Sequence, residues 1–99
     1  MIDLSAIEGF DWDEGNSQKN PDKHGVTQTE AEQIFVGEPL LAEDIRHSQD
    51  EPRYQALGST AGGRRLHVTF TLRESGRKVR VISARDMNRK ERAYYEQKT

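Results

Sequence analysis

The side chains of this 99-residue chain best suited to chemistry are arginines, joined by one hydroxyl, and they gather toward its C-terminal end. Val79, Val81, Ser83 and Arg85 alternate along a β-branched run, so on a regular strand they share one face. Ser83 and Arg85 then emerge together near its end. Arg89 and Arg92 follow three residues apart, which puts both on one side of a helix. Arg53, Arg65 and His67 fall on neighbouring predicted strands and can converge from the exposed face of a sheet. Guanidinium groups arrayed in this way grip phosphate through paired, charge-assisted hydrogen bonds. The competing reading is that they only solvate the face of a curved sheet and keep its edges from pairing with other chains.

Other chemistries find less support. His24, His47 and His67 form no HExxH motif or close pair, so a catalytic metal is not expected. Asp44 with Asp50 and Glu51, or Asp11 with Asp13, offers at most a weak site for a hard cation. Gly62-Gly63 is an isolated pair in a turn position with no phosphate-loop pattern around it, and no serine sits in a GxSxG elbow. No nucleotide cofactor follows. The absence of cysteine removes thiol nucleophiles, disulfides and Cys-based zinc. His24 lies between Lys23 and Gly25 where a helix is predicted to end. A cation there stabilises the helix terminus, and the same imidazole is suited to moving a proton near neutral pH.

The formal charge of −2 conceals two opposed halves. Residues 1–52 hold 13 acidic and 3 basic side chains; residues 53–99 hold 4 and 12. A basic half favours phosphate-bearing partners. The acidic half either stays clear of nucleic acid, meets a basic protein, or neutralises the basic half across the fold. A chain of this length buries roughly 60–65% of its unfolded surface, enough for one core. Hydrophobic residues at 32% are few, which suggests a very polar surface or one that a partner covers. No apolar run is long enough for a membrane span, and Met1-Ile2-Asp3-Leu4 does not resemble a signal sequence, so a soluble, cytoplasmic protein is expected.

The elements that must position these groups read as α+β. Residues 1–9 are predicted to be a loose leader, and residues 10–99 a single domain. Phe10 to Asp13 alternates as a short strand, and Asp13 to His24 reads as a helix that Pro21 interrupts. Thr27 to Glu30 fits a capping box, with Ala31, Ile34 and Phe35 at helical spacing until Gly37 and Pro39. Four strands follow as an antiparallel meander: Leu40 to Ile45, Arg53 to Ser59, Arg65 to Arg73 and Lys78 to Arg85, the last two joined by the turn Glu74-Ser75-Gly76-Arg77. Asn88 and Glu91 form a second capping box for a C-terminal helix, with Ala93, Tyr94 and Tyr95 available to pack on the sheet.

Three segments, in this order, resemble the BrnT family of bacterial type II toxin-antitoxin ribonuclease toxins. The first is Phe10-Asp11-Trp12-Asp13-Glu14, with Asn20, Lys23-His24-Gly25-Val26 and Ile34-Phe35. The second is Glu51-Pro52-Arg53 with Gly58. The third is Arg80-Val81-Ile82-Ser83-Ala84-Arg85 followed by Glu91-Arg92 and Tyr95-Glu96. Pro21 and the pair Asp86-Met87 depart from the family pattern. The resemblance implies a RelE-like fold and an endoribonuclease that inhibits translation. It also implies neutralisation by a BrnA-type antitoxin with a ribbon-helix-helix DNA-binding portion, so that operator DNA is met only through the antitoxin. No cofactor, metal or membrane enters.

For such an activity the expected chemistry is metal-independent attack of a ribose 2′-OH on the neighbouring phosphodiester. Arg53 and Arg85 are the candidates for stabilising the transition state, with Arg65 secondary. Ser83 would orient a phosphate or the 2′-OH, and His24 would carry the proton. Lys23, Arg89 and Arg92 would bind the RNA backbone. The alternatives are a non-catalytic RNA-binding or antitoxin-docking module, and an interaction protein whose sheet face a partner covers.

Overall fold

The structure, a computed structural model, describes residues 2–17, 24–44, 46 and 51–99. A 3₁₀ turn over Leu4–Ala6 leads to β1 (Gly9–Phe10). Then follow helix α1 (Gln28–Val36), β2 (Leu40–Glu43), β3 (Tyr54–Ser59), β4 (Arg65–Arg73), β5 (Lys78–Asp86) and helix α2 (Arg89–Lys98). The strands form one sheet in the order β1-β5-β4-β3-β2. None of the described helices is long and apolar enough to cross a membrane.

This α+β architecture differs from the expected one at its edge. The sheet has five strands and is mixed, because β1 pairs parallel to β5 through Gly9 opposite Lys78 and Phe10 opposite Val79. Pairing so distant in sequence leaves no turn signal to read. The segment expected to be a loose leader is consequently held in place. The amide of Glu8 donates to the carbonyl of Arg77 at 2.7 Å, and Ile2 and Ile7 pack against the core. The strand predicted over Phe10 to Asp13 stops early: Trp12 turns out of the ladder and its indole donates to Glu32 at 2.7 Å. Of the helix predicted over Asp13 to His24, residues 18–23, Pro21 among them, lie outside the described residues, and Glu14 to Ser17 form a turn.

Both predicted capping boxes are present. The Thr27 hydroxyl accepts from the amide of Glu30 while the Glu30 carboxylate accepts from the amide of Thr27, and Asn88 and Glu91 repeat the pattern. Ala31 and Ile34 carry α1 onto one face of the sheet, where they meet Val26, Ala56, Leu66, Val68, Phe70, Val79, Val81 and Ala84 in a buried core. Phe35 links Phe10 to Phe70 edge-on, with ring centroids 5.6 and 5.0 Å away. Helix and sheet approach closely at Gly58, where a Cβ would lie 2.8 Å from the Cβ of Ile34.

A slip in the ladder decides which residues of β5 face outward. Thr69 pairs with Ser83 and Phe70 with Val81, so Ile82 is the extra residue of a bulge. Val79, Val81 and Ala84 therefore all point into the core, while Ser83 and Arg85 stand on the other face. Strict alternation puts Ser83 and Arg85 beside the two valines; the bulge separates them. The turn into β5 is tight, with Glu74, Ser75 and Gly76 all at positive φ (52°, 58° and 87°).

Candidate active site on the polar sheet face

The face of the sheet away from α1 is polar, and its residues are set in rows by register. One row runs Leu40, Leu57, His67, Arg85 across β2, β3, β4 and β5. The next runs Ala42, Gln55, Thr69, Ser83. Beyond these, Thr71 is opposite Arg80 and Arg73 is opposite Lys78, while Ser59 is opposite Arg65 at the other end. The alternation of β3 puts Arg53, one residue before the strand, on this same side. Its carbonyl accepts from the amide of Asp44 at 2.8 Å.

Helix α2 lies over one end of the face, and it is attached differently from the expectation. It contains no buried residue; Ala93 is exposed and Tyr94 is 52% exposed. Glu91 and Tyr95, one turn apart, face the sheet in their place. The Glu91 carboxylate accepts from both terminal nitrogens of Arg85, at 2.8 and 2.9 Å, and from the amide of Asn88 at 2.9 Å. The Ser59 hydroxyl donates to the Tyr95 oxygen at 3.1 Å, and Arg65 pairs with Glu96 under the Tyr95 ring.

His67 is enclosed at the centre of this arrangement. Its side chain is 9% exposed, and its Nε2 lies 3.9 Å from Glu91 Oε2. Its buried Nδ1 has no hydrogen-bond partner among the described residues. Burial, reinforced by the charge of Arg85, pushes the imidazole below the ordinary histidine value of 6.5, against the opposing pull of Glu91. The hydrogen bonds from Arg85 hold the Glu91 carboxyl below its usual range, and Glu91 in turn raises Arg85. A neutral imidazole, a fixed guanidinium and a hydroxyl in adjacent register positions can accept a proton, stabilise developing negative charge and orient an oxygen.

The predicted site residues separate into groups. Arg85, Ser83 and Arg65 share the polar face, with Arg53 at its margin. Arg65 and Arg92 flank a shallow cleft with Gly63, Asp86 and Met87, and Arg89 is exposed at the start of α2. His24 belongs to the layer on the opposite side of the sheet, in the approach to α1, where its carbonyl accepts from Arg64 at 3.4 Å. Lys23 lies outside the described residues. His67 is the candidate passed over for proton transfer in favour of His24, because alternation alone turns it toward solvent and α2 is what buries it.

Most arginines of the face already have carboxylate partners. Arg80 reaches both Asp13 and Asp11, at 3.0 and 3.5 Å, and Arg73 pairs with Glu51. On the far side Arg64 joins Glu30 to Asp86. Several of these pairs connect the acidic half of the chain to the basic half, so part of the charge contrast in the sequence is spent inside the fold.

No curated protein matches the chain at a significant level. In fold it is similar to the 1.1 Å crystal structure of the Brucella abortus ribonuclease toxin BrnT, with a TM-score of 0.58 and 23% identity. The superposition covers 82% of this chain and 97% of that one. Residues 12–91 match the family model described as ribonuclease toxin, BrnT, of type II toxin-antitoxin system. That match takes in most of the chain, from the Trp12 corner to Glu91 on α2, and the chain therefore belongs to the BrnT family of ribonuclease toxins.

Proposed function

We propose that the protein is a metal-independent endoribonuclease whose site is the polar sheet face around His67, and that it inhibits translation by cutting RNA. The observation that carries this reading is the enclosed set His67, Glu91 and Arg85 beside Ser83. Neutral His67 removes the proton from a ribose 2′-OH, whose oxygen forms a bond to the adjacent phosphorus. The bond from phosphorus to the 5′ oxygen breaks, and that oxygen takes a proton from solvent. A 2′,3′-cyclic phosphate and a 5′-hydroxyl result. Arg85 stabilises the charge gathering on the phosphoryl oxygens, with Arg53 and Arg65 on flanking phosphates and Ser83 orienting the reacting group. The cationic side chains supply the charge stabilisation that a metal would otherwise bring. Proton transfer is assigned to His67 in preference to His24, which approaches the sheet from its other side. Lys23, Arg89 and Arg92 contribute backbone contacts.

A type II toxin has an antitoxin partner. We infer one of the BrnA type, a ribbon-helix-helix protein that would also connect the toxin to operator DNA. The test is incubation of purified protein with total RNA in EDTA, beside Arg85→Ala and His67→Ala. Cleavage to cyclic-phosphate ends that both variants lack is the expected result. Wild-type cleavage retained by both would overturn the site. The carboxylate partners of Arg65, Arg80 and Arg85 favour one rival, a non-catalytic antitoxin-docking module, which predicts no cleavage and weak, salt-sensitive RNA binding.

A further inference from the structure

The register rows of the polar face have two ends of different chemistry. Toward β5 stand Arg85 and Ser83; toward β2 the same rows end in Leu40 with Leu57 and in Ala42 with Gln55. Helix α2 crosses above the latter end and closes a recess of about 220 Å³, lined by Leu40, Ala42, Gln55, Leu57, His67 and Tyr94, with Glu91 at its inner wall. Sites for drug-sized ligands run from roughly 300 to 1,000 Å³, so this volume suits one flat ring system.

Its lining suits a nucleobase in particular. The walls are aliphatic, and Tyr94, half exposed at the rim, offers an aromatic surface for stacking. Gln55 contributes an amide to the lining, a group whose donor and acceptor can both meet a base edge. A patch built only to meet an aliphatic side chain of a protein has no need of this amide.

Position completes the argument. Neighbouring strands lie about 4.8 Å apart, so Leu57 and Gln55 on β3 stand about 10 Å from Arg85 and Ser83 on β5, with His67 between them. One nucleoside bridges such a span, with its base over β3 and β2 and its phosphate at β5. We propose that the recess is a base-binding subsite for the nucleotide whose 2′-OH is attacked, and that it gives the enzyme a sequence preference immediately 5′ of the cut. This rests on the ribonuclease reading above.

The test is to cut a randomised RNA with wild type, Tyr94→Ala, Gln55→Leu and Leu57→Trp, and to sequence the product ends. Wild type is expected to favour one base or one class of base 5′ of the cut. Leu57→Trp fills the recess and should level that preference, leaving slower cleavage at all four bases. Gln55→Leu should alter which base is preferred. Tyr94→Ala, an exposed position with little bearing on folding, should raise KM for the favoured sequence roughly tenfold. An unchanged preference in Tyr94→Ala and Gln55→Leu would overturn the subsite.

A second measurement separates this proposal from the nuclease reading. The four nucleoside 3′-monophosphates, which offer no phosphodiester to cut, are titrated into wild-type protein while backbone amide resonances are followed. Shifts at Leu40, Gln55 and Leu57 that depend on the base support the subsite even if no RNA is cut. Shifts confined to the arginines, or none, would overturn it and leave the recess to an apolar side chain of a protein partner.

Discussion

Asn16 and His67 are both buried polar side chains against the same sheet, and their surroundings are opposites. The Asn16 amide donates to the carbonyls of Asp11 and Val81, each at 3.0 Å, and its oxygen accepts from the amide of Asp13 at 2.8 Å. It ties the chain after β1 to the middle of β5, and its side-chain hydrogen-bonding capacity is nearly all used. His67, two strands away from β1, keeps an unpartnered Nδ1 and faces a carboxylate at 3.9 Å, beyond hydrogen-bond reach. Asn16 serves the architecture, and the proposed mechanism assigns His67 to the chemistry.

Substitution should separate the two roles. His67→Gln is expected to lower RNA cleavage by about 10²–10⁴-fold, the usual worth of a positioned proton acceptor, with a stability change within about 1 kcal/mol. Single-turnover cleavage and urea melts on the same preparation read both effects. A variant that cuts normally, or one that unfolds, would abolish the distinction. Asn16→Ala is expected to do the reverse. It strands two carbonyls and an amide, costs about 2–4 kcal/mol in a urea melt, and leaves cleavage by the folded fraction close to wild type.

How much of this was legible in the sequence follows from how local each signal is. Thr27 with Glu30 and Asn88 with Glu91 announced α1 and α2, because a capping box is complete within four residues. The alternation of β4 from Arg65 to Arg73 announced its two faces. The pairing of Gly9 and Phe10 with β5 was invisible, since nothing near residue 10 encodes a partner near residue 79. The bulge at Ile82 was equally hidden, and it matters more: the expected face put Ser83 and Arg85 with two valines that in fact point into the core. The arginines proposed for the site were legible as a basic set. The burial of His67 was not, because it depends on where α2 comes to rest.

The contrast sharpens further with pH. His67 titrates low because burial and Arg85 disfavour its cation, so below the ordinary value of 6.5 the unfolded chain takes up a proton that the folded chain resists. Stability should therefore fall as pH drops through that region and be independent of this group above it. Glu91, held low by Arg85, gives a second loss: its stabilisation is complete above the ordinary 4.5 and disappears as pH falls through its lowered folded value. His67→Gln should erase the upper loss and keep the lower one. An NMR titration of the His67 ring should find a midpoint below 6.5. Arg85→Ala should move it upward, by removing a repelling charge and releasing Glu91 toward the ring. A midpoint unmoved by that change would break the proposed coupling.

The smallest effect on stability is expected at the outer end of the same face. Arg65 and Glu96 are exposed, at 38% and 58% of their side chains, and pairs of that kind contribute about 0–1 kcal/mol. Glu96→Gln should thus barely shift a urea melt. It should, however, leave Arg65 free for phosphate, strengthening RNA binding at low salt and steepening the salt dependence of binding by about one counterion. Glu91→Gln is the instructive partner. Although Glu91 also holds an arginine, it accepts the Asn88 amide and faces His67 as well, so its loss should weaken the start of α2 and slow cleavage even where RNA binding improves. If both variants only tightened binding, the two carboxylates would be equivalent screens over a basic surface. If Glu96→Gln binds more tightly while Glu91→Gln cuts more slowly, the inner pair belongs to the catalytic machinery and the outer pair only moderates its charge.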